Sequence, residues 1–350
     1  MKIYYYNQQD AQYMWREWQK GLFPGHLLYG ATHFRAHGIE MVMNRHCDTS
    51  RRWLLSLNTL WQVLTCREHY DVLYGNAFRG LELLIFLRAL GLYRKPIVVW
   101  HHQPVKKAHN PLREMVARLF YRGIDRMFFF SDKLIADSLL SCKARRERMY
   151  VAHWGADLAY YDTLAGEEGA QSRTSTFITT GKELRDMPTL VKAFSRTTAR
   201  LDIYVSRSYL GDDYEDVFSH LQLTPNIRLE YIQGMAFREM SRKVNHAGCV
   251  VICCQRSNYT VGLTTVVEAL ALGLPIICTR NEQMPMDIER EGCGIWVDVG
   301  DVEGWRRAIG FIADNPDKAR EMGRKGRLLA ERLYNIEHCA AEIAGVMKSL

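Results

Sequence analysis

Short apolar segments alternate with longer amphipathic segments along the whole chain. Twelve apolar segments predict β-strands: KIYYY, EMVMN, DVLYG, PIVVW, RMFFFS, MYVAHW, TFITTG, LDIYVS, IRLEYI, CVVICC, PIICT and GIWVDV. The segments between them, such as NPLREMVARLFYRG and VEGWRRAIGFIADN, have the apolar spacing of amphipathic helices. Because strand–helix alternation of this kind builds parallel sheets with helices on both faces, we expect an α/β fold.

The pattern is interrupted once. The segment YDTLAGEEGAQSRTS, at 161–175, is small and polar and predicts a linker. A chain of 350 residues is also longer than a usual core of about 100–200 residues. We therefore expect two Rossmann-like parallel-sheet domains that face each other across a cleft, with residues 1–160 in the first and 172–335 in the second.

Composition excludes several classes of protein. With 47% hydrophobic and 24% charged residues, the chain is typical of globular proteins. Its most apolar run, LELLIFLRALGLYRKPIVVW, is cut by Arg88, Arg94 and Lys95, so no transmembrane helix is predicted. The N-terminal residues lack the pattern of a secretory signal. Nine cysteines without a Cys-x-x-Cys pair indicate a reducing cytoplasm, no disulfide framework and no zinc site.

The net positive charge lies entirely in the first half of the chain. Residues 1–150 carry a net charge of +11 and residues 151–350 a net charge of −4. The excess is densest at Lys106, Lys107, Arg113, Arg118, Arg122, Arg126, Lys143, Arg145, Arg146 and Arg148. It predicts either solvated helix faces or attraction to an anionic membrane surface or an acidic acceptor. We expect no nucleic-acid partner, since no recognised binding motif accompanies the charge.

The segment CVVICCQRSNYTVGLTTVVEALALGLPIICT, at 249–279, is the most informative. It predicts a strand, a loop containing Gly262, and a helix from near Thr264 to before Gly273. A helix start offers backbone amides and a positive dipole end to a phosphate or diphosphate. Glu268 is the one charged residue of this apolar helix, so it needs a partner. A sugar or ribose diol, a structural arginine and backbone amides are the alternatives.

These motifs resemble the retaining nucleotide-sugar glycosyltransferases of the GT-B fold, specifically glycosyltransferase family 4. The likeness lies in TTVVEALALGLP with the following MPMDIEREGCGIWVDVGDVEGWRRAI, in TTGKELRDMPTLVKAF (179–194), in VAHWGADLAYYD (151–162) and in the C-terminal helices. The N-terminal GLFPGHLLYGATHFRAHGIEMV is similar to the family's glycine-rich loop. The resemblance implies an acceptor-binding first domain, a sugar-nucleotide-binding second domain and a final helix, 336–350, that returns to the first.

The resemblance also implies roles for individual residues. Lys182 and Arg185 match the family's two diphosphate cations, although each could pair instead with Glu183 or Asp186. Around Gly234 the family recognises the nucleobase. The residues that the resemblance assigns to the donor are Gly181, Lys182, Arg185, Gly234, Met235, Thr260, Gly262, Leu263, Thr264, Thr265 and Glu268.

The first domain contributes two further features. His101 and His102 end the predicted strand PIVVW and match the position where the family carries a histidine near the transferred sugar; either one could correspond. Gly21 and Gly25 would bring the N-terminal loop close to the donor or acceptor, although they could be turn residues only. His101, His102, Lys182, Arg185 and Glu268 are thus the candidate catalytic residues.

One position departs from the family. Thr260 stands where the family usually has a second glutamate, eight positions before Glu268, and the loop SNYTVG contains no carboxylate. No Asp-x-Asp is present either, so we expect neither a metal nor another cofactor. The predicted activity is glycosyl transfer to a glycan or lipid-linked acceptor, in the cytoplasm or at the inner face of the membrane. A GT-B sugar-nucleotide epimerase and a catalytically silent sugar-nucleotide-binding protein are the alternatives.

Overall fold

A computed structural model describes residues 1–167, 173–209, 212–232 and 237–350. By its contacts the chain forms two compact units. Unit 1 comprises Met1–Gly155 and Asn335–Leu350, and unit 2 comprises Ala156–Tyr334. All twelve predicted strands are present, and the expected α/β fold with two parallel sheets is confirmed.

Unit 1 is built on a six-stranded parallel sheet in the order β2-β1-β3-β4-β5-β6. Its strands are β1 (Lys2–Tyr6), β2 (Glu40–Met43), β3 (Val72–Gly75), β4 (Ile97–His101), β5 (Arg126–Phe129) and β6 (Met149–Val151). Every residue of β3 and β4 is buried, as expected for strands covered on both faces. Ile3 of β1 lies between Met41 and Val72, which fixes the register of the central strands.

Helices cover this sheet. They are α1 (Ala11–Gln19), α2 (Arg52–Leu64), α3 (Glu82–Ala89), α4 (Pro111–Arg122), α5 (Asp132–Leu139) and the final helix α13 (Ile336–Lys348), with 3₁₀ helices at Gly25–Leu28, Ala31–His37 and Arg146–Arg148. Local sequence explains where α4 begins: Asn110 accepts the amides of Leu112 and Arg113, and Pro111 occupies the first turn.

Unit 2 has a second six-stranded parallel sheet, in the order β11-β8-β7-β12-β13-β14. Its strands are β7 (Phe177–Gly181), β8 (Leu201–Val205), β11 (Ile227–Tyr231), β12 (Cys249–Ile252), β13 (Ile276–Thr279) and β14 (Gly294–Val297). Two short strands that the sequence did not predict, β9 (Ser208–Tyr209) and β10 (Asp212–Asp213), pair antiparallel with each other in a separate two-stranded sheet.

The helices of unit 2 are α6 (Leu158–Glu167), α7 (Met187–Phe194), α8 (Tyr214–Ser219), α9 (Phe237–Asn245), α10 (Leu263–Ala271), α11 (Val302–Asp314) and α12 (Pro316–Arg332). Helix α6 corrects the linker prediction, because it includes the first residues of 161–175. Tyr160, Tyr161 and Leu164 are buried and anchor it, although small and polar residues surround them. Unit 1 accordingly ends at Gly155 rather than at residue 160.

The interior of each unit is apolar. Trp100 and Trp305 are the largest fully buried side chains, one in each unit. All nine cysteines are unpaired thiols. Within the described ranges, no helix combines the length and the apolar character that crossing a bilayer requires.

Candidate functional site

The sheet of unit 2 has a topological switch point between β7 and β12. The chain passes from β7 to β8 on one side and from β12 to β13 on the other. In open parallel sheets, ligands bind at the carboxyl ends of the strands at such a point. The segments that follow these two strands, 182–186 and 253–262, therefore define a candidate site.

Arg185 lies in the first of these segments and is buried, with 4% of its surface exposed. Its guanidinium donates hydrogen bonds to neutral acceptors: the carbonyl oxygens of Thr180 and Glu183 (both 3.1 Å), Cys254 Sγ (3.3 Å) and Thr265 Oγ1 (3.5 Å). No carboxylate among the described residues forms an ion pair with it. Because a guanidinium remains charged and a buried charge without a counter-charge is costly, the site favours an anion.

Gly181 allows this arrangement. Its φ of +125° is unfavourable for other residues, and an added Cβ would lie 2.1 Å from a guanidinium nitrogen of Arg185. The glycine predicted from the resemblance is therefore required by the close approach of the arginine side chain.

The sequence left open whether Arg185 pairs with Glu183 or Asp186, and the structure decides this point. Glu183 accepts a hydrogen bond from the Tyr259 hydroxyl, and Asp186 caps helix α7 through Oδ1. Arg185 is therefore not an internal ion-pair partner of either carboxylate. Lys182 is exposed on the same loop.

The second segment leads into α10. Gly262 has a φ of +88° at the N-cap, and a Cβ there would lie 2.7 Å from a methyl group of Ile252. Leu263 begins the helix, Thr264 is exposed at its first turn, and Thr265 reaches Arg185. Since the first amides of a helix have no acceptor within it, this turn can bind an anion beside the guanidinium.

Thr260 is the residue at the family's glutamate position. It is 9% exposed, and its carbonyl oxygen accepts the amide of Leu263 at 3.2 Å. The threonine therefore helps to shape the turn that precedes α10.

Glu268 has partners that the sequence did not predict. Ser241 Oγ on α9 and Tyr161 Oη on α6 both donate to Oε1, at 3.1 and 3.4 Å. These are hydroxyls, neither an arginine nor backbone amides, and no described residue donates to Oε2. Burial raises the pKa of the Glu268 carboxyl to about 7, although both hydroxyls act in the opposite direction. One carboxylate oxygen is thus held while the other is available to a ligand.

In unit 1, the two candidate histidines have different environments. His101 is 2% exposed, packs on Phe129 and has a buried Nε2 for which the described residues offer no hydrogen-bond partner. His102 is partly exposed, stacks on Phe130, and its Nε2 lies 3.2 Å from the Tyr29 hydroxyl. Burial lowers the pKa of His101 to about 3 and that of His102 to about 4, so both rings are neutral near pH 7. Of the two, His102 is the one accessible to a ligand.

Three buried asparagines that the sequence pattern did not predict as site residues lie at the carboxyl ends of adjacent strands. Asn7, Asn44 and Asn76 follow β1, β2 and β3 and are 1%, 6% and 8% exposed. Asn44 Oδ1 accepts the amide of Asn7 at 3.0 Å, and Asn76 Nδ2 donates to Asn7 Oδ1 at 2.9 Å. Asn7 Nδ2 in turn donates to the Tyr5 hydroxyl. The available signal was an asparagine at the end of EMVMN and one directly after each of KIYYY and DVLYG.

The remaining predicted residues are glycines and a loop. Gly21 has a φ of +69°, and its amide donates to the carbonyl oxygen of Trp18 at the end of α1. Gly25 begins a 3₁₀ helix and is buried. Gly234 and Met235 lie outside the described residues.

Comparison with known proteins gives a consistent result. Residues 189–329 match the family model "Glycosyl transferases group 1". A mannosyltransferase of Mycolicibacterium hassiacum, "MMP alpha-(1->4)-mannosyltransferase", is 22% identical over 301 residues, which cover 80% of this chain and 71% of that protein. This segment is a group 1 glycosyltransferase domain, and together with the relative it supports a GT-B glycosyltransferase. The matched segment runs from α7 to α12 and includes every predicted donor-binding residue after Arg185.

Solved structures show the same fold over the whole length of this glycosyltransferase. Anabaena HepE in complex with UDP and glucose has a TM-score of 0.70 at 14% identity, with both chains covered completely. Sucrose-phosphate synthase from Thermosynechococcus elongatus has a TM-score of 0.73 at 13% identity, covering 100% of this chain and 98% of that one. The group 1 domain and the mannosyltransferase relative, rather than these structures, support the predicted nucleotide-sugar-dependent glycosyltransferase activity.

Proposed function

We propose that this glycosyltransferase transfers a sugar from a nucleotide-diphosphate donor to a hydroxyl of a glycan or glycolipid acceptor, with retention of configuration, in the synthesis of a surface polysaccharide or other glycoconjugate. The observation that carries the donor assignment is the buried Arg185, which has no carboxylate partner among the described residues and lies at the switch point of unit 2.

The charge of the proposed leaving group accounts for the positive groups at the site. A sugar nucleotide departs as a diphosphate, so catalysis requires positive groups where negative charge develops. Arg185 supplies a preorganised guanidinium, held by four acceptors. Lys182 supplies an exposed ammonium on the same loop, and the first turn of α10 supplies backbone amides. With these groups as counter-charges, the proposed reaction is metal-independent, and activity is expected to persist in EDTA. Loss of activity restored by magnesium or manganese would contradict this part.

Glu268 is proposed to bind the ribose. Ser241 and Tyr161 hold Oε1, so Oε2 can accept a hydrogen bond from a ribose hydroxyl. The acceptor hydroxyl loses its proton during transfer. In the proposed retaining reaction the leaving phosphate takes that proton, and the neutral His102 imidazole contributes a hydrogen bond to the transferred sugar.

Relatives suggest which donors to test first. Structural neighbours are complexes with UDP, and with UDP and glucose, and the relative from Mycolicibacterium hassiacum is named a mannosyltransferase. We propose a hexosyl nucleotide as the donor. The test is a thermal-shift and calorimetric panel of UDP, GDP, ADP, CMP and dTDP sugars, because binding stabilises the folded protein whatever the acceptor.

Product analysis separates the alternatives. The donor selected by the panel is incubated with a pooled acceptor extract, and the product linkage is assigned by NMR. A new glycoside with the donor's anomeric configuration supports the proposal. Release of an epimerised free sugar would identify the epimerase, and binding without any product would identify the silent binding protein. An inverted linkage would contradict retention.

Membrane association through unit 1 is the second part of the proposal. Helix α4 exposes Leu112 (65%), Met115 (62%) and Val116 (44%), and the end of α5 exposes Leu140 (79%). Basic side chains adjoin them, because Arg113, Arg118 and Arg122 are exposed on the same helix, α4. Exposed apolar side chains with flanking positive charge are typical of helices that lie in the interface of anionic membranes. The surface fits a lipid-linked acceptor at the inner face of the membrane.

Flotation with vesicles tests this association. The wild-type protein is expected to float with vesicles that contain phosphatidylserine, to stay in solution with neutral vesicles, and to be released by salt. Met115→Asp should abolish flotation. Leu328→Asp, at a leucine of unit 2 that is 49% exposed, is the matched control and should not. Flotation that does not depend on lipid charge would contradict this proposal and support the alternative that the basic residues only form solvated helix faces.

A further inference from the structure

A cluster of two histidines and a glutamate in unit 1 has no role in the proposed reaction. His153 Nδ1 lies 2.7 Å from Glu342 Oε1, and His338 Nε2 lies 3.2 Å from the same oxygen. The three potential ligand atoms all lie within 4.8 Å of one another, and all three residues are partly exposed. Among the described residues, no other group of at least three such side chains comes together in this way.

The chain brings these side chains together from distant positions. His153 follows β6, whereas His338 and Glu342 are four residues apart on α13 and so share one face of that helix. Asn335 caps α13 by accepting the amide of His338 at 2.8 Å. The cluster therefore joins the two parts of unit 1, residues 1–155 and 335–350.

The carboxylate is oriented towards the two rings. The backbone amide of His153 donates to Glu342 Oε2 at 2.7 Å, while Oε1 faces both imidazoles. Metal-binding carboxylates are commonly held by an outer hydrogen bond of this kind, which positions the coordinating oxygen. The amide of His153 thus supplies an orienting contact.

The spacing is close to that of a metal site. Zinc binds histidine nitrogen at about 2.0–2.1 Å and carboxylate oxygen at about 2.0–2.2 Å, so neighbouring ligands of a tetrahedral ion lie roughly 3.3 Å apart. The distance from His338 to Glu342 already has this value within 0.2 Å, and that from His153 to Glu342 is about 0.6 Å shorter. A small outward movement of one imidazole would admit the ion.

We propose that His153, His338 and Glu342 form a binding site for a divalent metal ion of the zinc type. Two imidazoles and one carboxylate provide three ligands, and water completes the tetrahedron. To bind the ion, each imidazole presents the lone pair of the nitrogen that faces Glu342; a proton on that nitrogen is released to solvent or moves to the other ring nitrogen, so that each bound ring carries one proton, on the nitrogen away from the ion. The ion would link α13 to the segment that follows β6. This site contains none of the nine cysteines and none of the residues proposed to bind the donor.

The experiment compares zinc binding by the full-length protein and by matched variants after treatment with a chelator. Zinc affinity is measured by competition with a chromophoric chelator, and the melting temperature is measured with and without zinc. We expect one site that weakens at least about tenfold in His338→Ala and in Glu342→Gln, since even outer partners of metal ligands contribute 10–100-fold. Zinc should raise the melting temperature of the wild-type protein but not of these variants.

His33→Ala is the matched control. His33 Nε2 lies 3.5 Å from Oε1 of Glu337, a residue of α13, but His33 is not part of the cluster. It should bind zinc as the wild-type protein does. All four proteins carry the same cysteines, so any thiolate binding is common to them. Equal zinc affinity and equal melting shifts in all four proteins would overturn the proposal and leave the cluster as a hydrogen-bonded His–Glu–His group.

Discussion

The two sheets present different chemistry at the carboxyl ends of their strands. In unit 1, Asn7, Asn44 and Asn76 bind one another and nearby backbone groups, so this edge is neutral and internally satisfied. In unit 2, Arg185 is buried with only neutral acceptors, and Glu268 has one oxygen without a donor among the described residues. The first edge is complete without a ligand, whereas the second leaves a charge and an acceptor for one.

This difference indicates how similar sheets come to perform different tasks. A satisfied amide network rigidifies a strand edge and stabilises the fold. A buried charge without a counter-charge costs stability, which a bound anion can restore. We therefore expect substitutions in unit 1's network to affect folding, and substitutions at unit 2's switch point to affect donor binding.

Arg185→Ala should have the largest effect, because it removes the guanidinium that is proposed to bind the diphosphate. Loss of charged hydrogen bonds to the diphosphate should weaken nucleoside diphosphate binding about tenfold to a hundredfold, at about 1.5–3 kcal/mol. In the unliganded protein the substitution removes the cost of the buried charge but leaves buried carbonyl oxygens unpaired, and because these effects on the free energy of unfolding have opposite signs, stability should change less than donor affinity.

Calorimetry and urea denaturation measure these two effects. Arg196→Ala, which removes an exposed surface pair with Glu303, is the control and should change neither by a large amount. Arg185→Lys keeps the charge and should recover part of the affinity. A folded Arg185→Ala protein with wild-type affinity would end the assignment of this residue to the donor.

Glu268→Gln should have a pH-dependent effect on nucleotide affinity. The pKa of Glu268 is about 7, so the carboxyl is protonated below that pH and accepts a ribose hydrogen bond poorly. As pH rises through 7 it ionises, and the advantage of wild-type over Glu268→Gln should grow to about tenfold, at about 1.5 kcal/mol. The phosphate of the nucleotide titrates in the same way in both experiments, so the pH dependence of the ratio of the two dissociation constants comes from Glu268. A ratio independent of pH would return Glu268 to a structural role with Ser241 and Tyr161.

Asn7→Ala tests the amide network at the strand edge of unit 1. It leaves the amide groups of its neighbours without partners, and the free energy of unfolding should fall by about 1–3 kcal/mol. Nucleotide affinity, measured below the unfolding transition, should remain unchanged. Weaker nucleotide binding by a fully folded variant would show that the edge of unit 1 also acts on the donor.

Thr260→Ala should have the smallest effect. If this hydroxyl occupies the place of the family's first glutamate, it contributes a neutral hydrogen bond of about 0.5–1.5 kcal/mol. Turnover should fall about tenfold at most, while the affinity for free nucleotide stays the same. A thousandfold loss of kcat would instead give the threonine, or the turn it shapes before α10, a catalytic duty.

Elements were predictable from sequence where local pattern decides them. All twelve main strands were predictable because each is a short run rich in apolar residues; the central strands are largely buried, whereas the edge strands β2 and β11 are mostly partly exposed. Strands β9 and β10 were missed because two residues carry no periodicity. The sequence of α6 indicates a linker because small and polar residues surround Tyr160, Tyr161 and Leu164, whose burial anchors the helix.

The site was predictable in its residue types but not in its contacts. The resemblance pointed to Arg185 and Glu268, but not to the burial of Arg185 against Gly181, which depends on a positive φ. The partners of Glu268 come from α6 and α9, far away in sequence. Nothing local distinguishes the buried His101 from the accessible His102.

Binding of a nucleoside diphosphate and of its nucleoside to Lys182→Ala is the most direct test of the central claim, that the switch point of unit 2 binds the donor diphosphate. Lys182 is exposed, so its removal should leave the fold intact. We predict a tenfold to hundredfold loss, at about 1.5–3 kcal/mol, for the diphosphate and none for the nucleoside. Lys192→Ala, at an exposed lysine of α7, should lose neither. Unchanged affinity of Lys182→Ala for the diphosphate, or equal losses for both ligands, would contradict the claim.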